Sequence, residues 1–299
     1  MIRGMDLPSG GHIDVDIHGD GNVILLPVNP LPVEGAKADE LRKWGVDPAL
    51  GKRLIEGLRD VFRVVAFDYE GHLMAHPKPD SLTPELIADD VLAIADFVGA
   101  DRFAYYGYSW LAMAGMQLAL RTDRLSALAM GGFPPIDGPY EQMLAVTEAT
   151  HRLTTTKPDT PAAPADSSAA PPVDADGYDW SAVDIPLSEG QTLQFVTLYR
   201  SLQDFDDRAA QHRLDIPRLC FVGSEDTIEY GQQWGGVTVS MAGALRANHE
   251  ELERLGWEVR VLDGLDHTTA MQPTNVLTVI RHWFEDVVSG DRSGSRERA

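Results

Sequence analysis

The 299 residues suffice for one large domain with an insertion, or at most two ordinary domains. Hydrophobic residues at 43% and charged residues at 24% are the proportions of a soluble globular protein with a substantial core. The balance of 25 basic against 46 acidic residues, a net charge of −21, repels nucleic acid and anionic membrane surfaces. It disfavours bulky anionic substrates unless local arginines compensate.

The single cysteine, Cys220, excludes an internal disulfide and any multi-cysteine metal site. It stands in the apolar run Leu219-Cys220-Phe221-Val222, which predicts a buried strand residue rather than a nucleophile. The segment from Met1 to Asp6 lacks the apolar core of a signal peptide, and no apolar run reaches membrane-spanning length. The expectation is a soluble, cytoplasmic protein whose partner is a small molecule, with no nucleic acid or membrane partner. Its oligomeric state cannot be read from composition.

His12–Asp16 and Asn22–Leu26 read as early strands. Asp47-Pro48 caps a helix in which Leu50, Leu54, Leu58 and Val61 repeat at helical spacing. Arg63–Phe67 is a buried strand. Thr83-Pro84 caps a second helix with Ile87, Val91, Ile94 and Val98 on one face and Gly99 as its stop. A strand at Arg102–Tyr106, a tight turn, a helix over Trp110–Arg121 and a strand at Ser126–Met130 follow. The alternation then breaks for an insertion over Pro139–Leu214, with helical flanks at Tyr140–Leu153 and Gln191–Leu214. Between them, Lys157–Asp176 holds five Pro, six Ala and four Asp, with Val173 its one large apolar residue. Such a stretch buries too little surface to offset its ordering entropy and predicts a disordered loop. The insertion as a whole reads as a lid over a site, ahead of a purely decorative one. The sheet pattern resumes with a strand at Arg218–Val222, a helix over Met241–Leu255, a strand at Glu258–Leu262 and a last helix over Asn275–Val288. Residues 289–299 read as a flexible tail. Parallel strands alternating with helices imply an α/β sheet covered on both faces. The chain therefore divides into a core over 1–138 and 215–288 and a cap over 139–214.

The most informative stretch is Gly107-Tyr108-Ser109-Trp110. A strand ends there, a serine occupies the turn, and a helix rich in small residues begins. That geometry raises the hydroxyl above the sheet and turns unsatisfied helix N–H groups toward a developing oxyanion. Alone, it is weak evidence, and an N-cap serine is the commoner explanation of such a pattern. A nucleophilic hydroxyl also needs a base, and the base an orienting carboxylate. Asp226 lies just beyond the Arg218–Val222 strand and His267 just beyond the Glu258–Leu262 strand. The carboxyl ends of parallel strands share one crevice, so three loops would deliver Ser109, Asp226 and His267 to one edge. No tight His spacing supports a metal centre, and no cofactor is called for. His72 and His76 are four apart, but Pro77 and a loop context argue against one helical face.

These motifs resemble the α/β-hydrolase fold superfamily over nearly the whole chain. Asp68-Tyr69-Glu70-Gly71-His72 resembles its Asp-x-x-Gly-His loop, Gly107-Tyr108-Ser109 its nucleophile elbow, and Gly223–Asp226 and Gly264–His267 its acid and histidine loops. The resemblance implies a mostly parallel eight-stranded sheet flanked by helices, with a helical cap at Pro139–Leu214 and a Ser109–His267–Asp226 triad. It further implies an oxyanion hole from the N–H groups of Trp110 and Asn29, and a substrate pocket lined by Tyr108 and Phe133. Asp137 occupies the alternative acid position, and Glu225 and Glu229 flank the preferred Asp226. Three glycines of the pattern are replaced, by Leu111, Pro27-Val28 and Leu73. The expected activity is a serine hydrolase acting on a small carboxylic ester or thioester. The alternatives are a C–C bond hydrolase, lyase or cyclase, or a non-catalytic ligand-binding homologue.

Overall fold

The computed structural model describes residues 1–156 and 187–289. In chain order its strands are β1 (Ile2–Asp6), β2 (His12–His18), β3 (Val23–Leu26), β4 (Arg63–Phe67), β5 (Phe103–Tyr108), β6 (Leu125–Gly131), β7 (Arg218–Gly223), β8 (Thr227–Glu229), β9 (Thr238–Ser240) and β10 (Trp257–Leu262). The helices are α1 (Gly35–Lys43), α2 (Leu50–Leu58), α3 (Tyr69–Ala75), α4 (Pro84–Phe97), α5 (Trp110–Ala119), α6 (Tyr140–Thr156), α7 (Glu189–Ser201), α8 (Asp207–Ala210), α9 (Met241–Ala247), α10 (His249–Arg254), α11 (His267–Ala270) and α12 (Pro273–Ser289). The Lys157–Asp176 stretch and the tail beyond Ser289 lie outside the described residues.

Among the described residues one sheet of eight strands runs in the order β1-β2-β4-β3-β5-β6-β7-β10, and β8 and β9 form a separate hairpin. The β1–β2 and β2–β4 pairs are antiparallel and every other pair in the large sheet is parallel. Each expected strand is present, its ends displaced by no more than two residues.

The central strands are apolar on both faces because helices cover both. Leu25, Val65, Tyr105, Leu128 and Cys220 face Ile87, Val91 and Ile94 of α4 and Met113 and Met116 of α5. The alternate residues Ile24, Leu26, Val64, Tyr106 and Phe221 meet Leu54, Ile55 and Leu58 of α2 and Val276, Ile280 and Phe284 of α12. Cys220 is fully buried, and that burial pushes its thiol pKa well up, which suits a structural side chain. Helix α4 begins as its sequence dictates, with the Thr83 hydroxyl accepting from Leu86 N at 3.3 Å ahead of Pro84. It ends before Gly99, whose φ of +68° a side chain would resist.

Several elements differ from expectation. Ile2–Asp6 is an edge strand that its short Ile-Arg-Gly-Met-Asp sequence does not announce. The helix expected over Met241–Leu255 breaks at Asn248, which caps α9 and begins α10. Residues 69–75 form a helix rather than a loop, because Asp68 Oδ1 accepts from Gly71 N at 2.8 Å and caps it. The expectation for His72 and His76 is therefore corrected: their rings lie 5.1 Å apart on one side of α3 and its C-cap. His72 is buried, its Nδ1 set 3.2 Å from the His12 carbonyl, and burial lowers its pKa.

Helices α6 and α7 pack together through Leu144, Val196 and Tyr199, with Arg200 paired to Glu148 at 2.6 Å. Three bonds fasten α7 to the chain following α3: Gln191 Nε2 to Met74 O at 2.7 Å, Gln194 Nε2 to Leu73 O at 3.2 Å, and Thr197 Oγ1 to Pro79 O at 2.5 Å. No described helix is long and apolar enough to cross a membrane.

One buried carboxylate ties the N-terminal turn to both α3 and α4. Asp90, fully inaccessible, accepts from Tyr69 Oη at 2.8 Å and from Ser9 N at 3.0 Å. Asp90→Ala should leave the buried tyrosine hydroxyl unpaired and cost about 1–3 kcal/mol. The expected result is a lower urea midpoint with an unchanged m-value.

Candidate active site

Strand β5 runs straight into α5 with one residue between them. That residue, Ser109, holds φ +56° and ψ −129°, one of two non-glycine residues with positive φ among those described. Three features hold the turn. Ser109 N donates to Gly131 O of β6 at 2.8 Å, and Ala112 N donates to Ser109 O at 2.9 Å. Gly107 comes so close to the first turn of α5 that a Cβ there would stand 2.3 Å from the Leu111 carbonyl oxygen. Leu111, where the resembling pattern has a glycine, fits by lying in the core at 8% exposure. The Ser109 hydroxyl makes no hydrogen bond among the described residues, so the bland role of an N-cap side chain does not account for it.

The loops after β7 and β10 are pinned to each other by Ser224 N to Leu262 O at 2.8 Å and Glu225 N to Leu265 O at 2.9 Å. That contact sets Asp226, fully buried, against His267, the first residue of α11. His267 Nδ1 lies 3.0 Å and 2.9 Å from the two carboxylate oxygens. This leaves Nε2 as the free ring nitrogen, the arrangement in which a carboxylate fixes tautomer and orientation. Glu225 and Glu229 are exposed, and the charge nearest the imidazole is Asp226. Asp137, the alternative acid, is engaged elsewhere: its Oδ2 accepts from Arg208 at 3.1 Å and from Asn248 at 2.9 Å.

Tyr108 joins the elbow to the histidine. Its hydroxyl donates to the His267 carbonyl at 2.7 Å, and its ring lies 5.1 Å from the imidazole. Burial, reinforced by the Asp226 charge, drives its phenol pKa far up, so it stays a neutral donor. The Gly132 backbone packs against both rings: a Cβ there would lie 2.6 Å from Tyr108 and 3.0 Å from His267. The serine and imidazole thus follow β5 and β10, with β6 and β7 between those strands, and Tyr108 bridges the gap; among the described residues no hydrogen bond joins the two. Catalytic hydrogen bonds are often loose in the absence of a ligand.

The N–H of Trp110 opens α5 and makes no hydrogen bond among the described residues. Asn29 follows β3, the strand beside β5, and its N–H is likewise unused, while Val28 N donates to Leu26 O at 2.9 Å. Asn29 Oδ1 shapes this turn by accepting from Leu31 N at 3.0 Å. Phe133 is buried with its ring edge-on to Tyr140 of α6 at 5.7 Å, a packing role beneath that helix. The Trp110 ring meets Phe195 of α7 at 5.5 Å, which places α7 over the elbow. Among the described residues no group of three or more His, Cys, Asp or Glu could hold a metal ion.

Phe195, the partner of Trp110 across the elbow, went unassigned in the sequence. Its signal was an aromatic residue inside the expected helical flank Gln191–Leu214.

Against solved structures the whole chain aligns with hydrolases. It is similar to a thermophilic esterase from Thermogutta terrifontis (18% identity, 96% of this chain and 99% of the other, TM-score 0.57). It is similar to an epoxide hydrolase from Vigna radiata (15% identity, 97% and 98%, TM-score 0.55). A third similar structure is the meta-cleavage product hydrolase CumD of Pseudomonas fluorescens IP01 in its A129V form (17% identity, 95% and 98%, TM-score 0.52). No protein-family profile and no curated protein matches the sequence. The sheet order, the elbow and these likenesses together establish that the chain has the α/β-hydrolase fold.

The elbow yields the first test of the site. Gly107→Ala must push a methyl into the Leu111 carbonyl, and overpacking of this kind costs roughly 1–3 kcal/mol. Thermal unfolding should report that loss, and the Ser109 hydroxyl should become less reactive toward acylating reagents.

Proposed function

We propose that this chain is a serine hydrolase that cleaves a small carboxylic ester or thioester through an acyl-Ser109 intermediate. The observation that carries the reading is the imidazole of His267, held by a buried carboxylate at one nitrogen, at the same sheet edge as a serine kept in a strained turn.

In this mechanism Nε2 of His267 removes the Ser109 proton as Oγ attacks the carbonyl carbon. Asp226 holds the ring through Nδ1–H and stabilises the imidazolium that forms. The negative oxygen is received by the N–H groups of Trp110 and Asn29, neither of which has a hydrogen-bond partner among the described residues. Collapse of the tetrahedral intermediate expels the alcohol or thiol, which takes the proton from Nε2. Water then repeats the sequence on the acyl group and restores the free serine. Tyr108 steadies His267 from behind, and α6 with α7 acts as the cap that limits substrate size. The similar structures include esterases and a C–C bond hydrolase, so the fold accommodates either bond. The ester reading is preferred because two backbone donors and a histidine oriented by a buried carboxylate are what acyl transfer requires.

Ser109→Ala should abolish labelling by a fluorophosphonate and all turnover of short nitrophenyl esters. Equal labelling of this variant and the parent would refute the assignment. Asp226→Asn should keep the fold and lower kcat by on the order of 10⁴, because the histidine would lose its anionic partner and its correct tautomer. Stopped assays with the same esters would measure it.

A further inference from the structure

His267 stands on a four-residue helix, too short to hold itself in place. The carbonyls of His267, Thr268 and Thr269 are each taken by a side chain from outside that helix. Tyr108 Oη donates to the first at 2.7 Å, Gln272 Nε2 to the second at 2.7 Å and Asn275 Nδ2 to the third at 2.8 Å. Asp266 closes the other end of the turn, accepting from Thr269 N at 2.7 Å. Gln272 differs from the other donors because both ends of its amide are used. Its Oε1 accepts from Asp47 N at 2.9 Å, across a sequence separation of 225 residues. The bond to Thr268 alone would be an ordinary cap; the second bond makes the side chain a bridge.

Asp47 belongs to the segment that backs the loop carrying Asn29. Its carboxylate fixes that segment locally, accepting from Ala49 N at 2.9 Å and pairing with Arg53 at 2.7 Å. Pro48 O accepts from Val33 N at 2.9 Å, and Gly51 of α2 lies so close to the Asn29 carbonyl that no Cβ would fit between them. Contact therefore runs from Asn29 through Gly51, Asp47 and Gln272 to Thr268, the neighbour of the base. It joins loops that the sheet keeps apart, since Asn29 follows β3 and His267 follows β10. Gln272 is half-buried and borders an open cleft of about 400 Å³ whose walls include Asp47, Pro48 and Thr274. Packing does not demand an amide at such a margin. Without it, water from the cleft would satisfy Thr268 O and Asp47 N separately and leave the two segments uncoupled.

We propose that Gln272 is a positioning residue for the Ser109 reaction, its amide holding the His267 turn in register with the segment that backs Asn29. The proposal rests on the acyl-enzyme reading and adds the part that sets base and oxyanion donor at a fixed separation. Asp226 fixes the tautomer and direction of the imidazole, but not its distance from the Asn29 loop. In acyl transfer both must serve one tetrahedral centre, and a misplacement of about 1 Å costs on the order of 10²-fold in rate. Such a loss falls on the transition state and leaves ground-state binding intact, so it belongs in kcat rather than KM.

The test compares the full-length parent with Gln272→Met, which keeps the side chain's length and removes both bonds, on short nitrophenyl esters. kcat should fall by about tenfold or more while KM changes by less than about threefold. Fluorophosphonate labelling of Ser109 should slow by the same factor yet reach the same final extent, which counts the folded protein. Gln272→Glu keeps an acceptor for Asp47 N but loses the donor to Thr268 O, so its kcat should fall with that of Gln272→Met. Asn275→Ala removes a bond from the same turn that has no tie to Asp47, and its loss in kcat should be several times smaller. An unchanged kcat in Gln272→Met, a loss confined to KM, or an equal loss in Asn275→Ala would overturn the proposal. So would full activity in Gln272→Glu, or a reduced final extent of labelling that accounts for the whole loss. Failure of the acyl-enzyme reading is separately visible, as a parent whose Ser109 takes no fluorophosphonate.

Discussion

The site depends on one backbone conformation. A residue with a side chain at φ +56° costs on the order of 1–3 kcal/mol and persists only where its surroundings over-determine it. Here the surroundings are the parallel neighbour β6, which takes the Ser109 N–H, and the close approach of Gly107 to the start of α5. Strand and helix could not otherwise meet within one residue. The strain leaves the hydroxyl without a protein partner and the first N–H of the helix unspent, which are the two things a nucleophile and its oxyanion need. The energy that holds the turn comes from the apolar packing of β5 on both faces of the sheet and of α5 on one.

The second constraint is electrostatic. Asp226 is fully buried, and an isolated carboxylate in that position would be costly. The imidazole of His267 gives it a hydrogen-bonding partner, and the paired loops after β7 and β10 make the contact a property of the sheet edge rather than of two flexible segments. Asp137 illustrates the opposite outcome. It also occupies a strand-end loop with positive φ, yet Arg208 and Asn248 satisfy it, and it serves to tie that loop to α8 and α9–α10. Tyr108 occupies the space between the two halves, so its size fixes how near the histidine can stand to the elbow.

The sheet was legible in the sequence because its strands are continuous apolar runs separated by capped helices; β3 and β7 are the plainest cases. The three site loops were legible for the same reason, since each follows a recognisable strand. What escaped was short or weakly patterned. β1 has no apolar alternation to announce an edge strand. The hairpin of β8 and β9 has three residues in each strand and exists through its pairing, Thr227 with Ser240 and Glu229 with Thr238. Helix α3 is seven residues long and is stabilised by its Asp68 cap and by packing, not by periodicity. Mistaking it for a loop hid the contact between the His72 and His76 rings.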